Sequence, residues 1–256
     1  PRPIPTTTSH TTVDPVAVLI AAGIFAAAAL YSAVGHGGAS GYLAILALAG
    51  FSIGEMRPTA LCLNLLVASL AWFRFARTGA FSWRLLLPFA VTSIPAAFFG
   101  GKIGLDSSLA FTFLGITLML AAASLVRPWT GPSRGSAPPP LAIALVTGAG
   151  LGFLAGAVGV GGGIFLSPLL ILCGWGFPGT VAGVSAAFIL LNSAAGLAGN
   201  LAAGNPIPGP ILLWGGAALL GGFFGSRWGS SRQGGQKIRR LLALVLVVAA
   251  GKLLVA

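Results

Sequence analysis

Two glycine-rich stretches of the chain have the composition of a ligand site built from backbone atoms. AVGHGGASGYLAIL covers residues 33–46, and AVGVGGGIFLSPLL covers residues 157–170. In both, glycines come directly before a short apolar segment, 39–50 in the first case and 163–174 in the second. Glycines interrupt a helix, and the first N–H groups of the next helix have no intrahelical partner. Because a helix N-terminus attracts negative charge, the pattern predicts an anion site.

The predicted site combines residues of both stretches with two asparagines from elsewhere in the chain. The glycines let an oxyanion reach the backbone, so we expect no buried Lys or Arg there. We predict no catalytic residue and no metal ligand. The residues expected to bind the substrate are Gly35, His36, Gly37, Gly38, Ser40, Asn64, Gly159, Gly161, Gly162, Gly163 and Asn192.

His36 is the one ionisable side chain of this predicted site, and Val160 occupies the equivalent position of the second stretch. Ionisable groups inside a membrane tend to be functional, and histidine titrates near neutral pH. A role in binding the substrate or in carrying a proton is therefore open. The structural alternative is a neutral imidazole that binds loop carbonyls.

Other parts of the site also have structural alternatives. Glycine clusters occur where helices pack closely, although consecutive glycines before a half-length helix favour a site. Asn64 and Asn192 are as compatible with bridging two helices as with binding a ligand. In the longer segments the glycines are spaced by four residues, which favours close helix packing; these are Gly100, Gly104, Gly221, Gly225 and Gly229.

The composition places these stretches in a membrane. Of 256 residues, 56% are hydrophobic and 7% are charged, whereas soluble domains contain about 25% charged residues. No Lys, Arg, Asp or Glu occurs between Arg134 and Arg227, and a helix needs only about 20 apolar residues to cross the hydrocarbon core. We therefore expect a multi-pass protein of the cell (inner) membrane.

The net charge of +11 does not indicate a nucleic-acid partner. The basic residues lie at the ends of apolar segments, several of them beside tryptophans, as at Trp83 and Arg84. Such pairs mark the interface between membrane and water. The expected partners are a small anionic substrate and the lipid bilayer, and a homo-oligomer is compatible with the sequence. No cofactor is expected, because there is no P-loop or soluble domain.

The apolar segments divide into two sets of five. We expect a disordered tail at 1–14, a first transmembrane repeat at 15–126, a cytoplasmic linker at 127–139 and a second transmembrane repeat at 140–256. The linker region is rich in proline. The ten predicted segments are 15–34, 39–50, 58–74, 84–103, 107–126, 140–157, 163–174, 180–199, 208–226 and 237–255.

The two sets resemble each other in sequence. Residues 31–51 align without gaps on residues 155–175 at an offset of 124, Asn64 pairs with Asn192, and FFGGKIG at 98–104 matches FFGSRWG further on. Because each set has an odd number of segments, the second is inverted relative to the first. The predicted fold is an all-α polytopic membrane protein with two inverted five-segment repeats, each with a glycine-broken hairpin and a half-length helix. Secondary transporters use this architecture.

The distribution of basic residues predicts the orientation. Loops on one side of the predicted topology carry ten Lys and Arg residues, and the opposite side carries only Arg2, Arg57, Lys102 and Lys252. The positive-inside rule then makes the richer side cytoplasmic and puts both termini outside.

The motif AVGVGGGIFLSPLL resembles the glycine-rich motif of the sulfite exporter (TauE/SafE) family, and AVGHGGASGYLAIL resembles its first-repeat copy. The resemblance implies a permease or exporter, and not an enzyme, that moves sulfite, an organosulfonate or a related anion by alternating access. An anion channel is one alternative. Another is an intramembrane serine protease that uses GASG at 38–41, but such chemistry needs a base near the serine, and His36 alone is nearby.

Overall fold

The computed structural model describes residues 15–33, 37–105, 107–126, 138–207 and 210–228, together with five residues between 243 and 251. The regular structure within these residues is entirely helical. Its nine helices are α1 Pro15–Ala33, α2 Ala39–Leu48, α3 Ile53–Arg77, α4 Trp83–Ile103, α5 Ser107–Val126, α6 Leu141–Val158, α7 Gly163–Leu172, α8 Pro178–Ala202 and α9 Ile211–Trp228.

Most helices begin and end close to the predicted segments, and α3 is the main exception. It begins at Ile53, five residues before the predicted start. Ser52 and Glu55 form a capping box, in which the backbone N–H of Ser52 donates to Glu55 Oε2 at 3.1 Å. The predicted tail at 1–14 and most of the predicted linker lie outside the described residues, and the domain boundaries stay predictions.

The distribution of polar and apolar side chains is that of a membrane protein. Five helices are long and apolar enough to cross a bilayer, namely α1, α3, α4, α6 and α8. Large apolar side chains such as Leu19, Val146 and Leu212 are exposed on the surface, while asparagines and serines lie buried inside. Lipid tolerates the apolar exterior, so the chain is a multi-pass membrane protein.

Two helix pairs, α4 with α6 and α1 with α9, form the most extensive interfaces. Small residues allow the helices of each pair to pack closely. A Cβ on Gly100 would overlap the Phe153 carbonyl oxygen, and one on Gly225 would overlap that of Ala29. The packing role predicted for Gly100, Gly221 and Gly225 is confirmed. Gly104 instead ends α4 with a positive φ of 67°, and Gly229 lies outside the described residues.

The half-length helices α2 and α7 have ten residues each, which corresponds to about 15 Å. Neither can cross a hydrocarbon core of about 30 Å by itself. Helix α2 packs on α1 and α3, and α7 packs on α8. Because α3 and α8 also pack on each other, both short helices are anchored to the same central helix pair.

Candidate functional site

The N-termini of α2 and α7 are buried and have no side-chain cap. Within the part of the chain that the structure describes, no acceptor binds the backbone N–H groups of 39–41 or of 161–164. The full-length helices α3 and α4 differ, because Ser52 and Ser82 occupy their N-cap positions and make capping hydrogen bonds. Leaving a buried donor unsatisfied costs about 1–3 kcal/mol, so these bare ends favour a ligand or water as acceptor.

The glycines of the second stretch are required by the backbone conformation. Gly159, Gly161 and Gly162 have φ values of 86°, 73° and 78°, in the left-handed region that other residues rarely adopt. Gly159 ends α6, and Gly162 is the N-cap of α7. The turn between the two helices therefore depends on residues without a side chain.

Asn64 on α3 is the point at which the two glycine stretches meet. A Cβ built on Gly37 would lie 3.3 Å from Asn64 Oδ1, and one on Gly161 would lie 2.7 Å from Asn64 Nδ2. The same two glycines also contact Ile189 on α8. One asparagine and one isoleucine thus lie between the two stretches.

The hydrogen bonds of Asn64 are long, and its oxygen has none. Nδ2 donates to the Val160 carbonyl and to Ser193 Oγ, both at 3.5 Å, while the fully buried Oδ1 has no partner among the described residues. Asn192 is similar, because its Nδ2 donates to the Phe188 carbonyl at 2.9 Å and its Oδ1 is also buried without a partner. Buried amides are usually satisfied, so both side chains have capacity left for a ligand or water.

The remaining predicted residues differ in how far the structure describes them. Gly38 is the N-cap of α2, and Gly163 is the first residue of α7. Ser40 is fully buried, and its hydroxyl shares a 2.8 Å hydrogen bond with the Tyr31 hydroxyl. Gly35 and His36 lie outside the described residues, so the two roles considered for His36 stay open.

Tyr42 is a polar residue of this region that sequence reasoning missed. Its side chain is fully buried, its hydroxyl has no hydrogen-bond partner among the described residues, and a Cβ built on Gly38 would overlap that hydroxyl. Side chains in a helix lean toward its N-terminus. The spacing of four residues from Gly38 was therefore a usable signal that Tyr42 would reach the start of α2.

Arg57 contradicts the expectation of a region without a buried Lys or Arg. It was predicted to lie in an outer loop, but it belongs to the first turns of α3 and is only 7% exposed. A Cβ on Gly159 would lie 3.0 Å from the Arg57 Cα. The capping box at Ser52 and Glu55 was the signal that α3 begins early enough to bury this side chain.

The assembled groups are suited to binding rather than to catalysis. They are backbone N–H groups, two amides and hydroxyls, which can donate several hydrogen bonds to one ligand. Among the described residues, no group of His, Cys, Asp and Glu side chains could hold a metal ion.

Comparison with known proteins gives the family. The family model described as sulfite exporter TauE/SafE matches residues 19–253. A protein from Sinorhizobium fredii (strain NBRC 101917 / NGR234), named probable membrane transporter protein y4hK, is 38% identical over 248 residues, which cover 94% of this chain and 99% of that protein. No solved structure matches the chain. The chain therefore belongs to the sulfite exporter TauE/SafE family and is a multi-pass membrane transporter.

Proposed function

We propose that this protein is a secondary transporter for a small sulfur-containing anion, such as sulfite or an organosulfonate. The anion binds between the N-termini of α2 and α7, near the membrane midplane, and reaches each side by alternating access. The observation that carries the proposal is the meeting of two buried, uncapped helix N-termini at Asn64.

Electrostatics supports an anion at this place. Each helix N-terminus carries the equivalent of about half a positive charge, so two that converge supply roughly one. An oxyanion has several acceptor oxygens and can satisfy N–H groups of both helices together. In a site of low dielectric constant these donors act more strongly than they would in water.

Contacts between helices support two inverted repeats, 15–126 and 140–256. Helix α4 packs on α6, and the interface of α9 with α1 is its equivalent under the duplication. The contact of Gly100 with Phe153 corresponds in the same way to that of Gly225 with Ala29. In transporters with inverted repeats, the substrate lies at the interface between repeats and the repeats move relative to each other.

The proposed orientation has both termini outside the cell membrane. With Arg57 inside the protein, only Arg2, Lys102 and Lys252 stay on the side with fewer basic residues, which strengthens the asymmetry. The transport cycle needs a single chain, and a homo-oligomer is compatible with it.

The alternatives gain no support from the described residues. A protease would need a base at Ser40, whereas the hydroxyl of Ser40 is bound to the Tyr31 phenol.

An anion channel and a carrier differ in counterflow: unlabelled anion inside proteoliposomes accelerates uptake of labelled anion only through a carrier. We expect acceleration with ³⁵S-labelled sulfite or thiosulfate.

A carboxylate introduced at the meeting point tests the anion site. Asn64→Asp changes the side chain little in shape, whereas at Gly162 the positive φ and the Phe188 ring would add strain. We expect Asn64→Asp to lower the initial rate of labelled sulfite uptake at least tenfold at pH 8, because the carboxylate repels the anion. The loss should shrink toward pH 6 as the carboxyl is protonated.

Asn200→Asp is the matched control, because Asn200 is also fully buried but lies near the end of α8 against Gly101. We expect its transport to stay within about threefold of wild type. Equal losses in both variants, or normal uptake by Asn64→Asp at pH 8, would contradict an anion site at Asn64.

A further inference from the structure

Arg57 is a buried cation whose hydrogen bonds leave much of its guanidinium unused. Its Nε donates to the Ile53 carbonyl at 3.3 Å, and its Nη1 donates to the Ala157 carbonyl at 3.1 Å. A guanidinium has five N–H donors, so three have no partner among the described residues. The side chain therefore retains both charge and donors for a further acceptor.

No carboxylate of the described residues neutralises this charge. Glu55 is the nearest acidic residue in sequence, but its Oε2 accepts from the backbone N–H and the hydroxyl of Ser52. The chain has only two other acidic residues, Asp14 and Asp106, both outside the described residues. A buried charge without a partner is expensive, which favours an external anion as counter-charge.

The end of α4 packs directly against the guanidinium. Gly104 follows α4 with a φ of 67°, and a Cβ built on it would lie 2.7 Å from Arg57 Nη1. The C-termini of α4 and α6 contribute only partial negative charges, equivalent to about half a charge each. They hold the guanidinium in place and leave donors free.

Arg57 also lies on the face of α3 that leads to the proposed anion site. It precedes Asn64 by seven residues, or two helical turns, which separates their Cα atoms by about 10.5 Å along one face. Both side chains bind the same segment of the chain, Arg57 at Ala157 and Asn64 at Val160. Counting back from the paired Asn192, the second repeat has Ser185 in place of Arg57. The charge is therefore present on one side of the site only.

We propose that Arg57 is a second anion-binding position, at which the guanidinium holds the anionic substrate between the glycine site and the membrane face where α3 begins. The inference rests on the proposed transport of an anion. On the side where α3 begins, the anion would pass two binding positions, Arg57 and the glycine site. On the opposite side, the proposal includes no charged position.

Equilibrium binding to the purified full-length protein tests this proposal. The probe is ³⁵S-labelled sulfite or thiosulfate, whichever the wild-type protein transports faster. We expect two anions per wild-type chain and one per chain in Arg57→Gln, with the affinity of the remaining position within about threefold. Arg57→Lys, which keeps the charge, should retain the second anion with an affinity about tenfold lower. Arg77→Gln, at the exposed end of α3, is the control and should bind two.

Different outcomes overturn different statements. One anion per chain in both wild type and Arg57→Gln, with equal affinity, would make Arg57 a helix cap and overturn the second position. A second anion that binds only in Asp106→Asn would assign the counter-charge to Asp106, with the same consequence. In a further outcome, Asn64→Asp would lose all binding at pH 8 while Arg57→Gln still bound two anions. The proposed glycine site would then stand, and Arg57 would be excluded as an anion-binding position. If the wild-type protein transported neither of these probes nor a labelled short sulfonate, the proposed function itself would be contradicted.

Discussion

The stretches that lead into α2 and α7 resemble each other in sequence, but they differ in the residue types at equivalent positions. In the first repeat the positions are His36, Ser40 and Tyr42, and at the offset of 124 the second repeat has Val160, Ile164 and Leu166. The backbone donors are similar but not identical: the N–H of Phe165 donates to the Gly162 carbonyl, whereas the equivalent N–H of Gly41 has no acceptor among the described residues. The two stretches therefore offer the proposed anion site similar backbone groups but different residue types, polar in the first stretch and apolar in the second.

The glycines before the two helices also serve different purposes. Gly161 and Gly162 are needed because their φ values are positive. Gly38 has an ordinary φ of −86°, but a Cβ there would overlap the Tyr42 hydroxyl. Glycine is thus a conformational requirement at Gly161 and Gly162 and a purely spatial one at Gly38.

The largest expected effect comes from a side chain at Gly161. A Cβ there would lie 2.7 Å from Asn64 Nδ2 and 2.9 Å from Ser193 Oγ, at a φ of 73°. Because alanine disfavours the left-handed conformation, we expect Gly161→Ala to lower the free energy of unfolding by about 1–2 kcal/mol. We also expect it to abolish binding of the labelled anion. Thermal unfolding in detergent and equilibrium binding measure the two effects.

Gly50→Ala is the control that separates the effect of backbone strain from the effect of a side chain placed in the site. Gly50 has a φ of 84°, and nothing lies within 4 Å of a Cβ built on it. It should show a similar loss of stability with normal binding. If Gly50→Ala also lost binding, general destabilisation would account for the effect of Gly161→Ala.

A smaller effect is expected from the two tyrosines, which sharpen the difference between the repeats. Tyr42→Phe removes a buried hydroxyl without a partner, so stability should not fall, while anion affinity should fall about fivefold if that hydroxyl donates to the anion. Tyr31→Phe instead leaves Ser40 unpaired and should cost about 1 kcal/mol of stability with affinity changed less than twofold. The reverse pattern in binding titrations and unfolding curves would place the anion at the Tyr31–Ser40 pair, and unchanged affinity in both variants would place it away from these hydroxyls.

The smallest effect is expected at His36. We expect His36→Gln to change affinity two- to threefold and to leave the pH dependence of transport intact, because Val160 serves at the equivalent position of the second repeat. Uptake of a labelled sulfonate from about pH 5.5 to 8 measures this, since histidine titrates in that range. A flat profile in the variant beside a sloped one in the parent would identify His36 as a proton carrier.

The sequence by itself determined the class of the molecule and the places where its helices are interrupted. Both are local properties: hydrocarbon requires long apolar segments, and glycine runs break a helix wherever they occur. The starts of α2 at Ala39 and of α7 at Gly163 follow from this, as does the motif that indicates the family, whereas both short helices end two residues before the predicted segments do. The sequence similarity between the two halves was equally visible, because similar residues keep their order along the chain.

Only the tertiary structure decided which side chains surround the bare helix ends. Arg57 is buried because its guanidinium meets the Ala157 carbonyl, 100 residues further along the chain. Asn64 lies between Gly37 and Gly161 because α3 supports both short helices. Helix packing brings these residues together over long separations in sequence, and their burial depends on that packing. Neither hydropathy nor spacing along the chain contains that information.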